Sequence, residues 1–357
     1  MKQYTPGRFY LITYPRTGSN VLLRMLGLER QPHVRTGDDR GGYIFLPVIK
    51  LITDLRLRKK EVTIWTEEEI TQVKCSYQEC FDGFLDYLDK ASRDGCSVFI
   101  KEHVHFLINP TTLSRFTFGD PVQDTTGPSW MLQHLPESLA EKTFVTLSLP
   151  NETILPDEFL RSWQPTFLIR HPALAFPSLY RALLELEGTG NPREDEQLGQ
   201  HCMTLHWTRN LYEWYVREST CTDKDTTWPL VLDADDIMAD PGLVKHYCQL
   251  LGMDPSLVSR SWTPVSKEQL IHMDVFTKRY LSTLLASEGI IMGKVAGDVN
   301  IEKEAEMWCK EFGERAGRRI ERLVRESMPD YEFLKARRLR AGPCSREYSH
   351  GGFGLIS

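Results

Sequence analysis

A chain of 357 residues, 41% hydrophobic and 26% charged, can bury a sizeable core and has the size of one large α/β enzyme with insertions. Its net charge of −6, from 43 Lys+Arg against 49 Asp+Glu, gives no overall electrostatic footprint for nucleic acid, so only a local basic pocket remains compatible with it. No stretch of about 18 apolar residues occurs and residues 1–7 lack an apolar signal core, so neither a membrane span nor secretion is expected.

The cysteines, Cys75, Cys80, Cys96, Cys202, Cys221, Cys248, Cys309 and Cys344, form no Cys-x-x-Cys pair and no Cys/His spacing suited to zinc. Scattered cysteines of this kind point to reduced thiols, so the expectations are a cytoplasmic compartment and no metal. The run Arg56-Leu57-Arg58-Lys59-Lys60 is the strongest basic cluster of the first half and reads as a solvated helix end. Asn151-Glu152-Thr153 matches a glycosylation sequon by chance on this reading.

In chain order, residues 8–14 (Arg-Phe-Tyr-Leu-Ile-Thr-Tyr) form a short β-rich apolar run, broken by Pro15-Arg16-Thr17-Gly18-Ser19-Asn20 and followed by helix formers at 21–26. Strand, tight loop and helix are the skeleton of a phosphate-binding turn. A helix is predicted over about 65–93, with Phe81, Phe84, Leu85 and Leu88 at three- and four-residue steps. Ser97-Val98-Phe99-Ile100 is a second strand ending at Lys101-Glu102-His103. Residues 107–162, rich in Pro, Thr and Ser, read as a long irregular insertion. Strands at 166–169 and 229–233 follow, then a helix at about 241–251 that stops at Gly252. A charged, periodic segment at 301–328 turns Trp308, Phe312, Ile320 and Val324 inward. The alternation predicts a single α/β domain over 1–357, with a P-loop-like central parallel sheet, helices on both faces, and ligands at the carboxyl ends of the strands.

Three groups at those ends carry chemistry. The loop 15–20 leads into a helix N-terminus, where unpaired N–H groups and the dipole favour an anion; Gly18 permits close approach and Arg16 adds a forked cation. The Walker pattern Gly-x-x-x-x-Gly-Lys-Ser/Thr is absent, and alone this turn is equally a well-capped loop. His103 at a strand end suits a general base, and Lys101 two residues earlier faces the same side; His105 joins them if the strand continues. A lone His there is more often simply hydrogen-bonded in a crowded strand end. Arg170, with Ser178 two turns into the next helix, suits a grip on one phosphate, although a strand-ending Arg is a salt bridge more often than a clamp.

Read in order, these groups resemble the cytosolic type of PAPS-dependent sulfotransferases (PAPS is 3′-phosphoadenosine 5′-phosphosulfate). Residues 13–19 (Thr-Tyr-Pro-Arg-Thr-Gly-Ser) are similar to that family's 5′-phosphosulfate loop, Thr-Tyr-Pro-Lys-Ser-Gly-Thr. Lys101-Glu102-His103 resembles its strand ending in Lys-x-His, and Arg170-His171-Pro172 with Ser178 resembles its 3′-phosphate motif. Asp233 to Pro241 resembles its later Asp-Pro region, and Gly293 to Asn300 is fainter. In overall style the chain resembles the sulfotransferase-like proteins of fungal small-molecule pathways. The resemblance implies PAPS as sulfuryl donor, PAP (adenosine 3′,5′-bisphosphate) as product, and a hydroxyl or amine of a small molecule as acceptor, without metal, nucleic acid or membrane. It implies that Arg16 contacts the phosphosulfate and that Thr17, Gly18, Ser19 and Asn20 cradle the 5′-phosphate. His103 would be the base, with Lys101 on the sulfuryl oxygens; Arg170 and Ser178 would bind the 3′-phosphate, joined by Lys294.

Two departures stand out: the family's loop lysine is Arg16 here, and the tryptophan that commonly follows the loop is Val21, with Trp65 as a substitute for stacking adenine. In and just before the insertion, His105, Phe106, Phe116, Phe118, Trp130 and His134 would line an acceptor cavity or belong to the core. The alternative function is a sulfotransferase-fold enzyme repurposed as a cyclase, isomerase or dehydratase.

Overall fold

The computed structural model describes residues 6–37, 42–120, 129–136, 150–187, 199–220, 227–266, 284–290 and 299–340, with single positions at 268, 271, 273, 278 and 297. Five strands form one sheet: β1 (Arg8–Thr13), β2 (Val34–Thr36), β3 (Ser97–His103), β4 (Gln164–Ile169) and β5 (Leu230–Asp233). Their order is β2-β3-β1-β4-β5, and every pair is parallel. The chain leaves β1 for β2 and β3 on one side and reaches β4 and β5 on the other. The strand order therefore switches direction around β1, where such sheets open a crevice beyond their carboxyl ends.

Alternation along the strands decides which layer each side chain joins. Tyr10, Ile12, Val98 and Ile100 enter one apolar cluster, whereas Phe9, Leu11 and Phe99 enter another on the opposite face. On the first face pack α2 (Leu46–Asp54), α3 (Glu67–Arg93), α7 (Pro172–Glu187), α8 (His206–Thr220), α11 (Ile301–Phe312) and α12 (Glu314–Lys335). The second face is covered by α1 (Ser19–Leu26), α9 (Ala234–Ala239) and α10 (Pro241–Leu250). This is an α/β fold with a central parallel sheet and helices on both sides. Helix α3 starts at a capping box: Thr66 Oγ1 accepts from Glu69 N at 3.1 Å and the Glu69 carboxylate accepts from Thr66 N at 2.9 Å. Its Phe81, Phe84 and Leu88 are buried, while Leu85 is half-buried.

Three expectations are revised. The stretch 107–162 is not irregular throughout. It contains α5 (Pro110–Phe118), whose start is fixed by Asn109 as N-cap and Pro110 in the first turn, and the short α6 (Asp157–Arg161). Residues 121–128 and 137–149 of it lie outside the described residues. The segment 301–328 is not continuous: Gly313, with φ of 87°, separates α11 from α12, and Phe312 at the break is only half-buried. Finally, β3 ends at His103, and the short α4 (Val104–Leu107) begins immediately, so His105 sits on a helical turn rather than on the strand.

Candidate active site

Strand register collects the polar groups. Thr13, the last residue of β1, pairs with His103 at the end of β3 on one side and with Leu168 of β4 on the other. The segments after β1, β3 and β4 thus open onto one crevice. Tyr14 turns back under the loop: its buried hydroxyl donates to the Arg170 carbonyl and accepts from Arg170 N at 3.1 Å. Beyond it the backbone passes through left-handed conformations at Arg16 (φ 70°) and Gly18 (φ 80°) and enters α1. No atom lies within 4 Å of where a Gly18 Cβ would stand, so glycine is required there by the backbone twist and not by crowding.

Arg170 Nη1 donates to the Arg16 carbonyl at 2.9 Å, and Arg16 Nε donates to Ser178 Oγ at 3.0 Å, so Arg16, Arg170 and Ser178 form one hydrogen-bonded group. Burial lowers the Arg170 pKa, which still leaves the guanidinium charged. Thr17 is 1% exposed, and its Oγ1 has no hydrogen-bond partner among the described residues. A hydroxyl left desolvated and unpaired costs about 1–3 kcal/mol, and here it stands at a helix start whose first amides have no intrahelical partner. Such a cradle matches an anion.

Lys101 and His103 project to the α1 side of the sheet, as the alternation of β3 requires. The fully buried Lys101 donates from Nζ to Asn20 Oδ1, and Nζ lies 4.1 Å from the centroid of the Tyr43 ring. Tyr43 is held there because its N–H donates to the Lys101 carbonyl at 2.9 Å. The preceding Gly42 passes so close that a Cβ would stand 2.0 Å from that carbonyl oxygen. The Tyr43 ring is also 4.9 Å from the His103 ring.

His103 Nδ1 lies 2.8 Å from Thr13 Oγ1, and Thr13 donates to the Glu102 carbonyl at 3.2 Å. The Thr13 hydroxyl has one proton; when it goes to the carbonyl, which can only accept, Oγ1 faces Nδ1 as an acceptor. His103 then carries its proton on Nδ1 and keeps the lone pair on Nε2. Burial first and the Lys101 cation second hold its pKa down at about 3, so the ring is neutral at pH 7. Glu102, pointing to the other face, accepts from His103 N at 3.0 Å and Phe45 N at 3.2 Å. Burial pushes its carboxyl up to about 8 against the pull of those donors and of Lys101.

Of the residues singled out in the sequence, Arg16, Thr17, Gly18, Ser19, Asn20, Lys101, His103, Arg170 and Ser178 come together around this crevice. Lys294 lies outside the described residues. Trp65 is elsewhere: it meets Trp130 edge-on at 5.9 Å and forms part of the wall of a cavity that His105 and Phe118 also line. Phe106 and Trp130 are buried in the core, Phe116 is exposed at 37% and packs on His206 and Trp207, and His134 is exposed. The sequence reading missed Thr13, Tyr14 and Tyr43 as participants. The Gly41-Gly42 pair was the available signal for Tyr43, since adjacent glycines mark close backbone approach.

Among the described residues His105, His201 and Cys202 place ligand-type atoms within 4.8 Å of one another. Arg58 Nη1 lies 2.8 Å from His201 Nε2 and can only donate to it, so the neutral ring carries its proton on Nδ1. A cation and a protonated nitrogen at that ring both oppose metal there. No helix among the described residues is long and apolar enough to cross a membrane, and no disulfide joins the described cysteines.

No protein-family model matches the chain. The chain is 43% identical over 340 residues to Sulfotransferase ppzF of Metarhizium rileyi, covering 94% of this chain and 97% of that one. It is 42% identical over 342 residues to Sulfotransferase ppzF of Metarhizium majus, covering 94% and 98%. The sulfotransferase domain of a Synechococcus olefin synthase superposes at a TM-score of 0.37 with 12% identity, over 87% of this chain and 96% of that domain, a likeness too slight to argue from. With two relatives matched above 40% identity along nearly their whole length, the chain belongs to the sulfotransferase family and is an enzyme of that class.

Proposed function

We propose that the crevice beyond β1, β3 and β4 binds PAPS and that the enzyme sulfates a hydroxyl or amine of a small molecule, with His103 as general base. The observation that carries this reading is the convergence of Arg16, Lys101, His103 and Arg170 on one crevice, with Ser178, Asn20, Thr13 and the Arg16 carbonyl as their respective hydrogen-bond partners. The residues suit such a donor, because the buried Thr17 hydroxyl gains an acceptor in a phosphate oxygen. Thr17, Gly18, Ser19 and Asn20 hold the 5′ end, and Arg170 with Ser178 holds the 3′-phosphate. When bound, PAPS supplies a sulfuryl group whose bond to the bridging phosphate oxygen breaks as the bond to the acceptor forms, with PAP as product.

The chain's own groups have three tasks. His103 Nε2 takes the acceptor's proton. Its resting pKa near 3 is low for that task, and the negative charges brought by the donor raise it. Arg16 and Lys101 offset the charge that develops on the bridging and sulfuryl oxygens, in a site that positions more than it reacts. Tyr43 covers Lys101 with its ring face and so holds the ammonium in place.

Transfer of label from sulfur-35 PAPS to a panel of phenols and amines tests this. His103→Ala should lower kcat by about 100-fold or more while leaving PAP affinity within a few fold. An unchanged kcat in that variant would remove His103 as the base.

A further inference from the structure

Arg58 is a cation that the donor site leaves unused. Its neighbours Arg56 and Lys59 are exposed, as a solvated helix end requires, but Arg58 is half-buried. It lines a largely apolar cavity together with Ile49, Leu57, Trp65, Leu113 and His105. Nearby Lys60 is matched by Glu69 at 2.6 Å, whereas no carboxylate pairs with Arg58 among the described residues. Its hydrogen bond goes to a histidine kept neutral, for burial and the Arg58 charge push His201 well below the usual histidine range. A guanidinium on an apolar wall with an uncharged partner is short of compensating negative charge.

His105 supplies an independent observation. It is 4% exposed, it lines the same cavity, and its Nδ1 has no hydrogen-bond partner among the described residues. Its ring stacks on that of His103 at 5.6 Å with 20° between planes, and it also lies 5.7 Å from the His201 ring. Ring contacts and the Arg58–His201 hydrogen bond thus connect the candidate base to a cation in the cavity wall.

We propose that this cavity holds an acceptor bearing a carboxylate, with the carboxylate on Arg58, the apolar body against Ile49, Trp65 and Leu113, and the hydroxyl or amine to be sulfated at His103. The proposal rests on the reading of His103 given above and adds the chemical class of the acceptor. A carboxylate there meets the remaining donors of the guanidinium fork against apolar walls, where charge-assisted hydrogen bonds are strong. It also offers a partner to the His105 ring. Arg58 at one end and His103 at the other are fixed points, so acids of one length in a series are favoured over shorter and longer ones.

Calorimetry on the PAP-loaded protein tests the proposal with para-hydroxyphenyl alkanoates, from acetate to butyrate, and their methyl esters. At least one acid should bind about tenfold or more tightly than its ester. Arg58→Met should abolish that preference, and Arg58→Lys should keep part of it. Equal binding of acids and esters, no binding of any acid at millimolar concentration, or a preference that survives in Arg58→Met would each overturn the proposal. PAP binding is measured first in wild type and both variants, which reports on folding and on the donor site separately. The series is repeated without nucleotide, so that a failure of the donor reading does not mask the result for Arg58.

Discussion

Lys101 and Glu102 are consecutive and both fully buried, yet they face different chemistry because neighbouring strand residues point to opposite sides of the sheet. Lys101 meets Asn20 in the crevice. Glu102 instead ties the turn at Phe45 to the end of β3 through two backbone donors. Its carboxyl is pushed from 4.5 up to about 8, so the folded protein holds a proton that the unfolded chain has released. The stability this group contributes is complete below pH 4.5 and is lost as the pH rises toward 8. Glu102→Gln removes that titration and adds a pH-independent cost, because an amide cannot accept both bonds. The melting temperature of wild type should therefore exceed that of the variant most near pH 5, with the gap narrowing by pH 8. A gap constant across that range would mean that Glu102 is ionised in the fold. At this scale the placements most legible in the sequence were those of side chains in contiguous motifs, such as Lys101 and His103. Thr13 was quoted only as part of a motif, because its hydrogen bond to His103 depends on the register between two strands about ninety residues apart, which only the assembled sheet sets.

Helix α12 fixes the far edge of the site's framework. Tyr331, fully buried in it, donates to Asp233 Oδ2 at 2.8 Å, while Asp233 Oδ1 caps α9 by accepting from Asp235 N at 2.9 Å. One carboxylate at the end of β5 thus serves two helices, and burial raises its pKa. Tyr331→Phe should lower stability by about 1–3 kcal/mol, because Oδ2 loses its donor in a place water does not reach. In urea the midpoint should fall with the slope unchanged; no shift would mean that water replaces the tyrosine. Element prediction followed apolar patterning: β1, β3, β4 and β5 are runs buried on both faces, and α3 repeats apolar residues at helical spacing. Strand β2 was missed because its three residues are half-buried and carry no such run. Helix α5 was missed because a first-turn proline and an Asn cap look like loop chemistry until the helix that follows them is seen. The break at Gly313 was passed over because periodicity on both sides shares one phase.

On the scale of the whole molecule, a chain with a net charge of −6 gathers Arg16, Lys101 and Arg170 at one end of its sheet. Strand order makes this possible: β1 lies between β3 and β4, so segments distant in sequence open onto one crevice. That order was not legible beforehand, since alternating strands and helices predict a parallel sheet but not which strands become neighbours. The expectation of ligands at the strand ends follows from the sheet class alone. Calorimetric titration with PAP reads out whether this crevice is a bisphosphate site. Wild type should show saturable one-to-one binding, weakened about tenfold or more by Arg170→Ala, as expected when a charge-assisted hydrogen bond to phosphate is removed. No heat of binding at millimolar PAP, or equal affinities in the two proteins, would contradict the account.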